Sequence, residues 1–223
     1  MSDWQTRCSA RKQLQLDAIP PAWLVPLPPD DERSVIQTPS VCGLLTPREL
    51  EITNTIDIDL LLLNLRTAQW SSVEVTRAFY KRAIVAQQLT NCLTEIFVER
   101  ALARAKEVDD HLHATGQPIG PLHGLPISLK DQFTIKGLET IMGYAGWIGR
   151  YAQSDCVLVQ LLYECGAVPF VRTNVPQTLM VRAEITTSRR HFKPHLTFST
   201  PLRSGARRSI MCSVGPQTPT IAT

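Results

Sequence analysis

Leu125-Pro-Ile-Ser-Leu-Lys-Asp131 follows a connection rich in proline and glycine, residues 116–124, and reads as a short buried strand with a charged end. On its N-terminal side Ala101, Leu102, Ala105, Val108 and Leu112 mark an amphipathic helix that ends near Gly116, and 92–96 reads as a short strand before it. Further upstream Val73, Thr76, Phe79, Tyr80, Ala83 and Ile84 recur at helical spacing. They predict a core-facing helix from the capping-box pattern Ser71-x-x-Glu74 to about Gln88, and the leucines of 57–67 favour another helix. On the C-terminal side Ser154 is the expected cap of a helix through Cys165, closed by Gly166, and 167–171 reads as an apolar strand. Helices alternating with short apolar strands indicate an α/β layered fold.

The flanks of this region read differently. Residues 1–47 are expected to be loop-like, because Pro20, Pro21, Pro26, Pro28, Pro29 and Pro39 interrupt any helical period, so 1–55 is taken as an N-terminal arm. The first residues are polar, without the apolar core of a targeting segment. The best apolar run, 60–65, is broken by Asn64 and far too short to span a bilayer. No membrane association and a cytoplasmic location are therefore expected. With 223 residues and 43% hydrophobic content the chain has material for one sizeable core.

The formal charge of +3 is unevenly placed. Residues 182–223 carry seven Lys or Arg (Arg182, Arg189, Arg190, Lys193, Arg203, Arg207, Arg208) against Glu184 alone, while the rest of the chain carries 16 basic and 19 acidic groups. The six cysteines (Cys8, Cys42, Cys92, Cys156, Cys165, Cys212) contain no Cys-x-x-Cys pair, which argues against a zinc knuckle or a disulfide scaffold. His111 and His113 would face different sides of a helix, and Pro194 disfavours a helix between His191 and His195. Neither a metal nor a cofactor is expected.

Lys130 is the chemically informative residue. A lysine at the end of an apolar strand behind the Gly124-x-Pro126 turn loses hydration, and desolvation favours the neutral amine, which accepts a proton. The alternative is that Lys130 pairs with Asp131 at the surface, as most lysines are solvated or paired.

A longer set of residues bears on that choice. Trp70-Ser-Ser-Val-Glu-Val-Thr-Arg-Ala-Phe79, Leu89-Thr-Asn-Cys-Leu-Thr-Glu95, Pro121-Leu-His-Gly-Leu-Pro-Ile-Ser-Leu-Lys-Asp-Gln-Phe133, Met142-Gly-Tyr-Ala-Gly-Trp147 and Asn174-Val-Pro-Gln-Thr-Leu-Met180 resemble, in the same order, fungal acetamidase-type members of the amidase signature family. The resemblance covers 56–180 and implies the N-terminal part of an amidase-signature layered fold, a mixed sheet flanked by helices, incomplete in this chain. It implies a Ser-cisSer-Lys triad that hydrolyses small carboxylic amides through an acyl-enzyme, with Lys130 at the position of the catalytic lysine. A homodimer is the assembly the full-length family form suggests.

The glycine-rich Gly-Gly-Ser-Ser-Gly-Gly segment of that family and the nucleophile loop after it do not occur in the sequence. Ser204-Gly205 falls near the expected bridging serine, but its flanks are Arg203 and Ala206, so neither serine role is assigned to it. The resemblance stops after Met180, close to where the charge balance changes sign, as a shifted reading frame or a missed splice junction would produce. The expectation is a truncated, inactive chain with a basic tail over 181–223. The rival reading makes that tail a contact for nucleic acid or an acidic partner. Against it, the arginines form no helical stripe and only Phe192 and Phe198 are interleaved, so nucleic acid is not the favoured partner.

Overall fold

The computed structural model describes residues 3–29, 32 and 34–175. The basic tail over 181–223, with Ser204, His191 and His195, lies outside the described residues, as does 176–180 at the end of the last quoted motif.

The chain order is α1 (Asp3–Asp17), α2 (Thr38–Val41), α3 (Pro47–Asn54), α4 (Ile58–Arg66), α5 (Ser72–Thr90), β1 (Leu93–Ile96), α6 (Val98–Thr115), β2 (Pro126–Lys130), α7 (Val157–Glu164) and β3 (Val168–Thr173). The three strands form a mixed sheet in the order β1-β3-β2, with β1 antiparallel and β2 parallel to the central β3. This is an α/β layered architecture with helices flanking a small mixed sheet.

α5 and α6 form where the apolar period predicted them. Tyr80 and Ile84 of α5 and Ala101, Ala105 and Val108 of α6 are fully buried and meet Val168, Phe170 and Val171 of β3 in the main core cluster. Each large side chain there removes roughly 1.5–3 kcal/mol of apolar exposure. Tyr80 adds an edge-to-face contact with Phe170, ring centroids 5.2 Å apart, and its hydroxyl donates to the Phe170 carbonyl. A second cluster, Ile52, Leu61, Leu65, Trp70, Val75 and Ala78, seats α3 and α4 on α5.

Three local expectations need correction. Residues 1–47 are not loop throughout, since α1 runs from Asp3 to Asp17, ahead of the first proline, and buries Cys8, Arg11 and Gln15. Ser154 does not cap α7; the helix begins after Cys156 and no side chain caps it. β2 is not buried along its length either. It lies at one side of the sheet, with Ser128 exposed and only Leu129 fully buried, while β3 is the buried centre.

Candidate active site

Lys130 ends β2, opposite Thr173 of β3. Its place is set by the turn before the strand, where Gly124 N donates to Gly166 O (2.9 Å) and Val168 N donates to Leu125 O (2.9 Å), fixing the parallel register. Gly124 has φ +74°, and a Cβ there would run into the Ser72 hydroxyl and the Leu65 side chain, so the position needs glycine twice over. His123 beside it is fully buried, and its Nδ1 accepts from Ile119 N at 3.1 Å. Burial holds its pKa below the ordinary value. It is a packing group under the turn.

Past Lys130 the chain bends inward rather than to the surface. Asp131 is 1% exposed and pairs with Arg172 of β3, Nη2 to Oδ1 at 2.9 Å. Its Oδ2 accepts from Met142 N at 2.9 Å, which draws the 142–147 motif against the strand end. The alternative pairing of Lys130 with Asp131 is therefore not formed. Among the described residues no carboxylate lies within ion-pair distance of Lys130, which is half-buried.

Arg172 is the centre of a buried charge lattice that sequence reading did not single out. Its guanidinium donates to the carbonyls of Glu139 and Phe133 and to Thr140 Oγ1, and Nη1 lies 3.7 Å from Glu95 Oε2. Glu95 of β1 also accepts from Arg11 of α1 at 3.0 Å, and Arg11 Nε lies 2.5 Å from Glu139 Oε2. Burial pushes Glu95 and Asp131 above the usual carboxylate range, and the neighbouring guanidiniums oppose that rise. The signal was present: Glu95 and Arg172 each stand inside a strand that is otherwise buried, where charges survive only if paired.

Neither a cluster of three potential metal ligands nor a membrane-spanning helix occurs among the described residues. The arrangement therefore offers one half-buried, unpaired lysine at a strand end, braced by buried ion pairs.

The family model described as Amidase matches residues 74–193. An acetamidase of Emericella nidulans is 47% identical over 178 residues, which is 80% of this chain and 32% of that protein. An acetamidase of Aspergillus oryzae is 44% identical over 180 residues, 81% of this chain and 33% of that one. Among solved structures, a fatty acid amide hydrolase superposes with a TM-score of 0.75 at 37% identity, over 80% of this chain and 32% of its own. The chain spans about a third of the length of these relatives. The matched region holds the β1-β3-β2 sheet and the strand that ends in Lys130, and the chain belongs to the amidase family.

Proposed function

We propose that the chain supplies the lysine of a centre that cleaves the C–N bond of small carboxylic amides, giving the acid and ammonia. In this reading Lys130 is the base of a Ser-cisSer-Lys triad. It takes the proton of a nucleophilic serine through a bridging serine, an acyl-enzyme forms, and water releases the acid. The observation that carries it is the freedom of Lys130: Arg172 engages Asp131, and the half-buried lysine side chain is left without an acidic partner among the described residues. The relatives' name, acetamidase, favours short aliphatic amides. We take the protein to act in the cytoplasm. The 223 residues contain neither the glycine-rich bridging-serine segment nor the nucleophile loop, so in this reading they do not complete the triad by themselves.

The test is to sequence the transcript across the Met180 codon and assay its product and this chain on acetamide. This chain is expected to give no turnover. A product that restores both serine segments is expected to hydrolyse acetamide and to lose about a thousandfold or more in kcat on Lys130→Ala, since triad members act as a unit. Hydrolysis indifferent to that substitution would remove Lys130 from the chemistry. A transcript that encodes the tail as written, with salt-dependent binding of DNA by the chain, would favour the nucleic-acid reading, which rests on the seven basic residues after Met180.

A further inference from the structure

α4 carries leucines on two sides, and the fold uses one of them. Leu61 and Leu65 turn inward to join Ile52, Trp70, Val75 and Ala78 in the second core cluster, and Leu62 is buried beside them in the chain. Leu60 and Leu63, one helical turn apart, lie on the outer side and are 46% and 56% exposed. Ile56, just ahead of the helix, is 95% exposed. Single exposed leucines are ordinary, but adjacent large aliphatics with a charged rim mark a contact surface.

The rim says what that surface fits. Asp59 and Arg66 are seven residues apart, so they lie two turns from each other on one flank of the leucine pair, and both are exposed. Among the described residues the Asp59 carboxylate has no hydrogen-bond or ion-pair partner. Arg66 Nη2 donates to Pro121 O at 2.5 Å, and its other N–H groups have no partner there either. The face is thus acidic at one end, aliphatic in the middle and basic at the other, which makes it complementary to itself when reversed. A two-fold axis midway between Leu60 and Leu63 sets Leu60 of one copy on Leu63 of the other, and the reverse. In that register Asp59 and Arg66 of opposite copies fall about 3 Å apart along the helix axis on the same flank, within reach of an arginine side chain. A parallel pairing would set like charge against like.

We propose that the outer face of α4 is a self-association surface, on which a second copy of this chain lays its own α4 antiparallel. Leu60 and Leu63 of the two copies form its centre, and two reciprocal Asp59–Arg66 ion pairs close its rim. This is an isologous contact, in which one patch serves both chains. A single helix face is a small interface, so the dimer forms in the micromolar range rather than permanently. Lys130 stands on another element, and the contact does not depend on the hydrolytic reading.

The test is sedimentation velocity of the full chain over a series of micromolar concentrations. The wild type is expected to pass from monomer to dimer. Asp59→Arg gives each copy two basic ends and Arg66→Glu gives it two acidic ends, so each variant alone should dimerise about tenfold or more weakly. Mixed in equal amounts, the two variants should regain the wild-type association, because every pair across the interface is again opposite in sign. Loss of folding cannot produce that recovery, and both substitutions fall on exposed side chains, so circular dichroism should stay native. Leu63→Glu puts charge at the centre and should abolish the dimer, alone or mixed with either variant. A wild type that stays monomeric throughout would overturn the proposal and leave the face to a different protein. A dimer indifferent to all three substitutions would place the interface elsewhere, and natively folded charge variants that fail to recover on mixing would refute the antiparallel register.

Discussion

Arg172 enters the centre of the sheet with no exposed surface and is tolerated only because Asp131 and Glu95 meet it there. The cost of that burial appears in the carboxyls, both of which titrate above their ordinary range because they are out of water. In the folded chain they keep their protons to higher pH than in the unfolded chain. Their stabilising contribution is thus fully present below the unfolded value of about 4 and is lost as pH rises through the raised folded values. Glu49 runs the other way: burial raises it, but hydrogen bonds from Lys81 and from Thr46 N outweigh that and leave it lowered. Its contribution is present above the unfolded value and is lost as pH falls through the lowered one. Urea midpoints measured against pH should separate the two. Asp131→Asn, which is neutral at every pH, should lie nearest the wild type below about 4, and its midpoint should fall less steeply than the wild type's as pH rises above that. Equal slopes would mean that Asp131 titrates alike in both states. The place of Lys130 at the end of a strand was legible from the apolar run before it. The engagement of Asp131 with Arg172, 41 positions downstream in the numbering, has no local pattern to reveal it.

The elements formed where apolar periodicity was strong, and their ends were harder to read. Ser71 does cap α5, accepting from Glu74 N at 3.0 Å, but the Glu74 side chain pairs with Arg48 instead of closing the box. The reciprocal capping box stands at Thr46 and Glu49, at the start of α3. The stronger restraint on α5 comes from another helix. Asp109 of α6 accepts from Ser72 N at 2.6 Å and Val73 N at 3.0 Å, so one carboxylate serves two free N–H groups and sits at the positive end of the helix dipole. Ser71→Ala is expected to cost about 1 kcal/mol, and Asp109→Ala about 2–3 kcal/mol because two partly buried donors lose a charged acceptor. Equilibrium urea unfolding would rank them, and a larger loss for Ser71→Ala would refute the assignment. Sequence reading could not supply this bond, since Asp109 lies 37 residues from Ser72 and its role depends on how α6 crosses α5.

At the scale of the molecule, α1 is the element that local text concealed. Its inward positions, Cys8, Arg11 and Gln15, keep a helical period, but two of the three are polar, so a search for apolar recurrence passes over it. What holds it is polar as well. Arg11 reaches Glu95 and Glu139, Gln15 donates to Leu93 O at 2.5 Å, Lys12 donates to Asn91 Oδ1 at 2.6 Å and Arg7 donates to Ile148 O. These bonds tie the first helix to β1 and to the 139–151 segment, and through Glu95 and Arg172 to the strand end that carries Lys130. Arg11→Met keeps most of the volume but leaves Glu95 and Glu139 without their nearest cation, which for a buried pair costs about 3–5 kcal/mol. Because the loss falls on contacts between elements, it should release α1 before it unfolds the core around Tyr80 and Phe170. Limited proteolysis is the direct reading: the variant should be cut between residues 3 and 20 under conditions that leave the wild type intact, while the 72–173 region stays protected. Equal cleavage of the two chains, together with an unchanged urea midpoint, would show that α1 is held by its aliphatic contacts and that Arg11 is only a bystander.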